Sequence, residues 1–181
     1  MSKIGRKPIL IGNTRVEIKG QEIHIKGKSG ELVHVLPQGL SAELINEGTH
    51  IKIMCTDASG DLNAAWGLHR ALIANEIIGM DKGFEQDLII TGLGFKGVLS
   101  GTKIVFSLGY SHKIDFDLPK GVSVDIDKTG QLLKVKGADK EQVGLVCSQI
   151  KKLRPTEPYK GTGIKLAQEV IFRKAGKTKS A

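Results

Sequence analysis

Residues 92–97 have the sequence Gly-Leu-Gly-Phe-Lys-Gly, the Gly-x-Gly-x-x-Gly spacing found where proteins bind the pyrophosphate of a dinucleotide. Asp117 follows at the distance typical of the acidic ribose ligand of such a site. This chemistry requires a helix that begins directly after the glycines, because the helix N-terminus supplies the N–H groups. Here residues 98–106 have the pattern of strands with a glycine turn. We therefore expect turns and bulges at these glycines, and no nicotinamide or flavin cofactor.

The other reactive residue types show no catalytic or metal-binding spacing. There is no His-Glu-x-x-His, Gly-x-Ser-x-Gly or Cys-x-x-Cys motif. His69 and Cys147 fall on apolar helix stripes, so we expect both to be packing residues. The sequence therefore predicts no enzyme, no metal ion and no small-molecule substrate. Two isolated cysteines also suit a reducing compartment, which favours a cytoplasmic protein.

Residues 151–165 combine cations, prolines, glycines and one tyrosine in a short segment. Pro155 and Pro158 stiffen the chain, which reduces the entropy lost when the loop is fixed. The basic side chains of this loop offer phosphate partners, and Tyr159 offers a ring for stacking. Gly161 and Gly163 would let the backbone approach a surface and present its N–H groups. A loop that only ends a helix does not need this combination of cations, prolines, glycines and a tyrosine. The composition of the segment therefore favours a loop that contacts RNA.

The positive charge lies at the two ends of the chain. The net charge is +8, yet residues 20–150 hold 13 basic and 16 acidic side chains. Residues 1–19 hold five basic and one acidic, and residues 151–181 nine and two. Basic ends around a near-neutral body are typical of a core that presents arms to a polyanion, although disordered ends would give the same pattern. We expect residues 172–181 to be unfolded alone and to order on RNA.

The elements that position these residues occur twice. Residues 27–57 align without a gap with residues 109–139, and nine pairs are identical, including Leu36-Pro37 with Leu118-Pro119. Each copy shows alternating strands followed by an amphipathic helix, with Gly79 as the expected C-cap of the first helix and Pro155 ending the second. This predicts an α+β protein of two tandem homologous domains, each a small antiparallel sheet packed against one α-helix. We place the domains at residues 1–82 and 83–181. No stretch is long and apolar enough for a membrane helix.

Four segments resemble the bacterial large-subunit ribosomal protein six family. They are residues 154–165 (Arg-Pro-Thr-Glu-Pro-Tyr-Lys-Gly-Thr-Gly-Ile-Lys), 108–112 (Leu-Gly-Tyr-Ser-His), 2–9 and 173–177. The first is highly specific, and the resemblance extends over essentially the whole chain, including the duplication. Thr162 and Leu166 depart from the family, where a lysine and an aromatic residue are usual. Each departure removes one possible RNA contact.

The resemblance implies a structural constituent of the large ribosomal subunit that binds its rRNA directly. It implies a location near the factor-binding region and the sarcin–ricin loop, with neighbouring ribosomal proteins as partners and translational GTPases nearby. The C-terminal domain and tail would make much of the contact. The expected rRNA-binding residues are Lys3, Arg6, Lys7, Arg154, Tyr159, Lys160, Gly161, Gly163, Lys165, Arg173, Lys174 and Lys177.

Two alternatives remain open from the sequence. Basic ends alone would also suit a free, general RNA-binding or RNA-chaperone module. The glycine spacing at residues 92–97 is all that supports a dinucleotide enzyme.

Overall fold

The alternating apolar segments form strands in a computed structural model, which describes residues 2–46, 48–56 and 60–176. The chain divides into two units, one of residues 1–84 with 138–140 and one of residues 85–137 with 141–181. Both consist of short antiparallel strands and one long helix. The α+β class and the tandem duplication are therefore confirmed. The predicted boundary between residues 82 and 83 stays a prediction.

The first unit contains six strands and a helix. They are β1 (Ile9–Leu10), β2 (Arg15–Lys19), β3 (Glu22–Gly27), β4 (Gly30–Val35), β5 (Leu40–Ile45), β6 (His50–Cys55) and α1 (Gly60–Asp81). The strands form two sheets, with the orders β1-β6-β5 and β2-β3-β4. Alternate residues of the strands point into one core with α1, and Ile23, Ile25, Ile51, Ile53 and Ile73 are fully buried there.

The second unit contains seven strands and a helix. They are β7 (Phe84–Thr91), β8 (Lys96–Ser100), β9 (Lys103–Ser107), β10 (Ile114–Asp117), β11 (Val122–Ile126), β12 (Leu132–Gly137), α2 (Lys140–Leu153) and β13 (Gly163–Leu166). Their sheets have the orders β10-β9-β8 and β11-β12-β7-β13. The stripe predicted on α2 is confirmed, because Val143, Val146, Cys147 and Ile150 are buried. Pro155 follows soon after the end of this helix.

The repeat is visible in the elements themselves. The alignment of residues 27–57 with residues 109–139 places β6 on β12, and the two strands have the same alternation of buried and exposed positions. The same register brings β2, β3, β4 and β5 onto β8, β9, β10 and β11. The strand β13 has no counterpart in the first unit.

The end of α1 lies further along the chain than predicted. Gly79 is buried inside the helix, and hydrogen bonds continue to Gly83, whose N–H donates to the Gly79 carbonyl at 3.0 Å. Gly83 has φ +76°, the left-handed conformation in which glycine commonly ends helices. Gly79 as the C-cap is therefore wrong, and Gly83 takes that place. In the described ranges, no helix has both the length and the apolar character needed to cross a membrane.

Candidate nucleic-acid interface

The glycine motif at residues 92–97 lies between two strands. β7 ends at Thr91, a turn follows in which the Phe95 N–H donates to the Gly92 carbonyl at 3.3 Å, and β8 begins at Lys96. Gly97 is buried against the ring of Phe106. A strand and not a helix follows this turn, so the helix that a dinucleotide site requires directly after the glycines does not begin here. The predicted role of these glycines in a turn is confirmed.

Three polar residues of the first unit form a hydrogen-bonded chain that the sequence did not reveal. His34 Nδ1 lies 2.8 Å from Glu76 Oε1, and His34 Nε2 lies 2.9 Å from His69 Nδ1. Burial lowers the pKa of His69, and His34 lowers it further, whereas Glu76 acts in the opposite direction. Both ring nitrogens of the buried His34 are thus engaged, as expected for a satisfied core histidine. In the part of the chain that the structure describes, no three potential metal ligands are grouped together.

The basic loop that follows α2 is a closed turn held by backbone hydrogen bonds. The Glu157 N–H donates to the Thr162 carbonyl, and the Gly161 N–H donates to the Glu157 carbonyl, each at 2.9 Å. At its base, the Ile164 N–H donates to the Arg154 carbonyl at 2.9 Å. The Lys174 N–H donates to the Pro158 carbonyl at 3.0 Å from outside the loop. The loop therefore has a defined conformation before any ligand arrives.

The predicted loop residues differ in what they present to solvent. Tyr159 and Lys160 are exposed at the turn, and Tyr159 keeps 55% of its surface accessible. Lys165 is half-buried and lies on β13, where it pairs with Ile89 of β7. Lys165 and Gly163 therefore belong to a strand, which corrects their prediction as loop residues. So short a strand gives no alternation that could be recognised in the sequence, and β7 supplies the pairing.

Gly161 and Gly163 shape the loop from inside. Gly161 is buried, and its N–H is already used within the loop. Gly163 is also buried, and a Cβ placed on it would lie 2.6 Å from the Pro155 carbonyl oxygen. The expectation that Gly161 presents a free N–H to a ligand is therefore wrong. Position 161 favours glycine through its φ of +72°, and position 163 through its φ of +136° and the backbone atoms at its Cβ position.

Arg154 lies against two aromatic rings. Its guanidinium carbon is 5.0 Å from the centre of the Tyr110 ring and 6.0 Å from that of Phe95. The Tyr110 hydroxyl donates to the Leu153 carbonyl at 3.1 Å, next to Arg154 in the chain. These contacts hold a half-buried cation at the base of the loop. Tyr110 belongs to a segment that resembles the ribosomal family, but nothing in the sequence placed it beside Arg154.

The segment after β13 returns to the loop. Lys151 Nζ lies 2.6 and 2.7 Å from the two Glu169 carboxylate oxygens, and this hydrogen-bonded partner lowers the pKa of Glu169. Further on, the Arg173 guanidinium lies beside Gly161. Arg173 and Lys174 are exposed and lie close to the loop. The expectation that residues 172–181 are unfolded without RNA stays a prediction. Lys177 lies outside the described residues.

Lys3, Arg6 and Lys7 belong to the first unit, and their segment is anchored to α1. The Ser2 N–H donates to Asn63 Oδ1 at 2.6 Å, and Arg70 donates to the carbonyls of Lys7 and Pro8 at 3.1 and 3.0 Å. All three basic side chains are exposed. The structure thus brings Arg154, Tyr159, Lys160, Arg173 and Lys174 together in the second unit, and places these three cations in the first unit.

Comparisons with known proteins show the family and the two copies of the repeat. A family model described as ribosomal protein L6 matches residues 12–83 and 89–166, one segment for each copy of the repeat. The chain is 42% identical over 180 residues to large ribosomal subunit protein uL6 of Beijerinckia indica, covering 99% of this chain and 100% of that protein. It is 40% identical over 179 residues to the protein of the same name from Helicobacter hepaticus, covering 98% of each. It is also 42% identical over 179 residues to that of Synechococcus sp. strain RCC307, again covering 98% of each.

Proposed function

Because this chain belongs to the ribosomal protein L6 family, we propose that it binds large-subunit rRNA directly through the basic surface of its second unit. The chain is a structural constituent of the large ribosomal subunit in the cytoplasm, and not an enzyme. rRNA and ribosomal proteins are its partners. Membership in the family does not identify the residues that contact rRNA or their location in the subunit, and we propose both.

The observation that carries the proposal is the convergence of the loop and the tail. The hydrogen bond from Lys174 to the Pro158 carbonyl brings the cations of the tail to the turn that exposes Lys160. Of the nearby acidic groups, Glu169 pairs with Lys151, and the exposed Glu157 accepts a hydrogen bond from the Thr162 hydroxyl at 3.3 Å. Exposed cations on a preformed surface attract phosphates by Coulomb interaction and by release of counterions.

The individual residues have different parts in this proposal. Lys160, Lys165, Arg173, Lys174 and Lys177 contact phosphates, and Tyr159 offers a ring to a base or sugar. Gly161 and Gly163 hold the shape of the loop. Lys3, Arg6 and Lys7 form a separate basic group on the first unit, which contacts rRNA as well.

We also propose the wider location that the family resemblance implies. The chain would lie near the factor-binding region and the sarcin–ricin loop, next to other ribosomal proteins, where translational GTPases dock. Crosslinks from the chain on purified large subunits to rRNA nucleotides test this location. Crosslinks only to nucleotides distant from that region would contradict it.

Replacement of Lys160 tests the phosphate contacts. Lys160→Ala should weaken binding to protein-free large-subunit rRNA and reduce the slope of log K against log salt by about 0.7–0.9, the contribution of one phosphate. Filter-binding or anisotropy titrations between about 50 and about 300 mM salt measure the slope.

Lys103→Ala is the matched control. It also removes one exposed cation from the second unit, but Lys103 is paired with Asp117 at 3.1 Å. Its slope should therefore stay close to that of the wild type. Equal slopes for the wild type and Lys160→Ala would exclude Lys160 as a phosphate contact.

A sedimentation experiment separates a ribosomal constituent from a free RNA-binding module. After a high-salt wash, the chain should remain with large subunits in a sucrose gradient, one copy for each particle. Complete release into the free fractions would support the free module instead.

A further inference from the structure

We infer that Tyr110 and His112 form a stacking platform for an unpaired nucleobase, a role that rests on the proposed rRNA binding. Both residues lie on the turn between β9 and β10, outside the basic loop that follows α2. The ligand is a base flipped out of, or never part of, a double helix. This adds recognition of an exposed base to a surface otherwise built for phosphates.

The His112 ring stacks on the Tyr110 ring. Their planes differ by 25° and their centres lie 6.1 Å apart. Tyr110 retains 42% of its accessible surface, and His112 is exposed. Arg154 lies over the Tyr110 ring and His112 stacks on it, so the exposed His112 ring supplies the face on which a nucleobase, itself flat, can stack.

Tyr110 is held in place before any base arrives. Its hydroxyl donates to the Leu153 carbonyl, and the Arg154 guanidinium lies over its ring at 5.0 Å. Anchoring at both the hydroxyl and the ring lowers the entropy lost on binding. It also places a cation next to the platform, where the phosphate of the same nucleotide needs a partner.

Structural roles account for Tyr110 but not for His112. The Tyr110 hydroxyl satisfies one of the last carbonyl groups of α2, which otherwise have no partner in the helix. For His112, the Tyr110 ring is the one aromatic or polar partner among the described residues. An exposed ring with so little to stabilise in the fold is available for a ligand.

The platform favours an unpaired base over a regular RNA helix. A continuous A-form duplex keeps its base faces stacked on one another and presents phosphates and 2′-hydroxyls instead. Two exposed rings near Arg154 have little to offer such a surface. Bulges and loops provide the free base face that this geometry fits.

The test uses the full chain, protein-free large-subunit rRNA and three forms of residue 112. His112→Ala should weaken binding by roughly fivefold to 150-fold, the range expected for loss of one base–aromatic stack. The slope against salt should not change, because a base that stacks on the ring makes no phosphate contact there. His112→Phe should bind as tightly as the wild type, since the ring alone is required.

Chemical probing of the same complexes identifies the base. One unpaired nucleotide should be protected by the wild type and by His112→Phe, and reactive with His112→Ala. Circular dichroism should show all three proteins folded to the same extent, because His112 is on the surface.

The outcomes are distinguishable. No binding of rRNA by the wild type would overturn the proposed function. Wild-type binding with an unchanged affinity for His112→Ala would leave that function intact and overturn the platform. A reduced salt slope for His112→Ala, or weak binding by His112→Phe, would show a charged or hydrogen-bonding contact and would also overturn stacking. Protection confined to base-paired nucleotides would show that the protein binds a duplex at this site, and would also overturn stacking on an unpaired base.

Discussion

Replacement of Gly163 by alanine tests whether the loop's shape depends on its buried backbone. Gly163 has φ +136°, a conformation that L side chains rarely adopt and that costs about 1–3 kcal/mol. The added Cβ would lie 2.6 Å from the Pro155 carbonyl oxygen and 2.7 Å from the Thr156 Cα. Both are backbone atoms, so relief requires the loop to move. Together these effects should cost about 2–4 kcal/mol of the free energy of unfolding of the second unit.

Urea unfolding of the full chain measures this cost. At an m-value of about 1.5 kcal/mol/M, the midpoint of the second unit should fall by roughly 2 M. Far-UV circular dichroism follows both units, whereas the fluorescence of Trp66 reports the first unit and should keep its midpoint. Binding to rRNA should weaken as well, since Lys160 and Tyr159 would be displaced with the loop.

Gly144→Ala is the matched control. Gly144 lies inside α2, and nothing lies within 4 Å of the position its Cβ would take. In a helix this exchange should stabilise the protein by about 0.5–1 kcal/mol, the opposite sign. A midpoint for Gly163→Ala within error of the wild type would refute the reasoning from backbone geometry.

Two further predictions concern titratable groups. The pKa of His69 lies below its ordinary value of 6.5, so the unfolded chain binds a proton at His69 more readily than the folded chain does. The contribution of neutral His69 to the free energy of unfolding should therefore be fully present above pH 6.5 and be lost as the pH falls through the pKa of the folded chain. Trp66-monitored urea midpoints at pH 7 and 5 should differ less for His69→Gln than for the wild type, and an equal difference would contradict the assignment. Burial raises the pKa of Cys147 to about 11, so a thiol reagent at pH 8 should leave it unmodified in the native chain and modify it in urea, with Cys147→Ser as the control. Rapid labelling of native Cys147 would show that α2 is not packed as described.

Periodicity and self-similarity predicted most of the architecture. The alternation of β3 and β12 and the apolar stripe of α2 require one buried face, so the burial of Ile23, Val135 and Ile150 follows from the pattern itself. The internal repeat predicted two copies of one fold. The division of each unit's strands between two sheets was not predicted, because pairing partners are set by tertiary packing.

The details of the candidate site required the structure. β13 forms because β7 offers a free edge, which the pattern of so short a segment cannot reveal. The contacts of Tyr110 with Arg154 join residues that lie far apart in the chain. The tail is held to the loop in part by a backbone hydrogen bond from Lys174 to Pro158, and almost every residue type offers such backbone groups, so the sequence does not show which of them pair. Residue type predicted which side chains carry charge, but not which of them meet.

The pairing of β13 with β7 also has a consequence during synthesis. Until residues 163–166 have left the ribosome that makes the chain, the outer edge of β7 has unpaired N–H and C=O groups beside the apolar Leu88 and Ile90. Such an edge is a template for pairing with other chains, and aggregation is its usual result. The nascent second unit is therefore exposed to misassembly while β8 to β12 and α2 are being made, and is protected once the last strand closes the sheet.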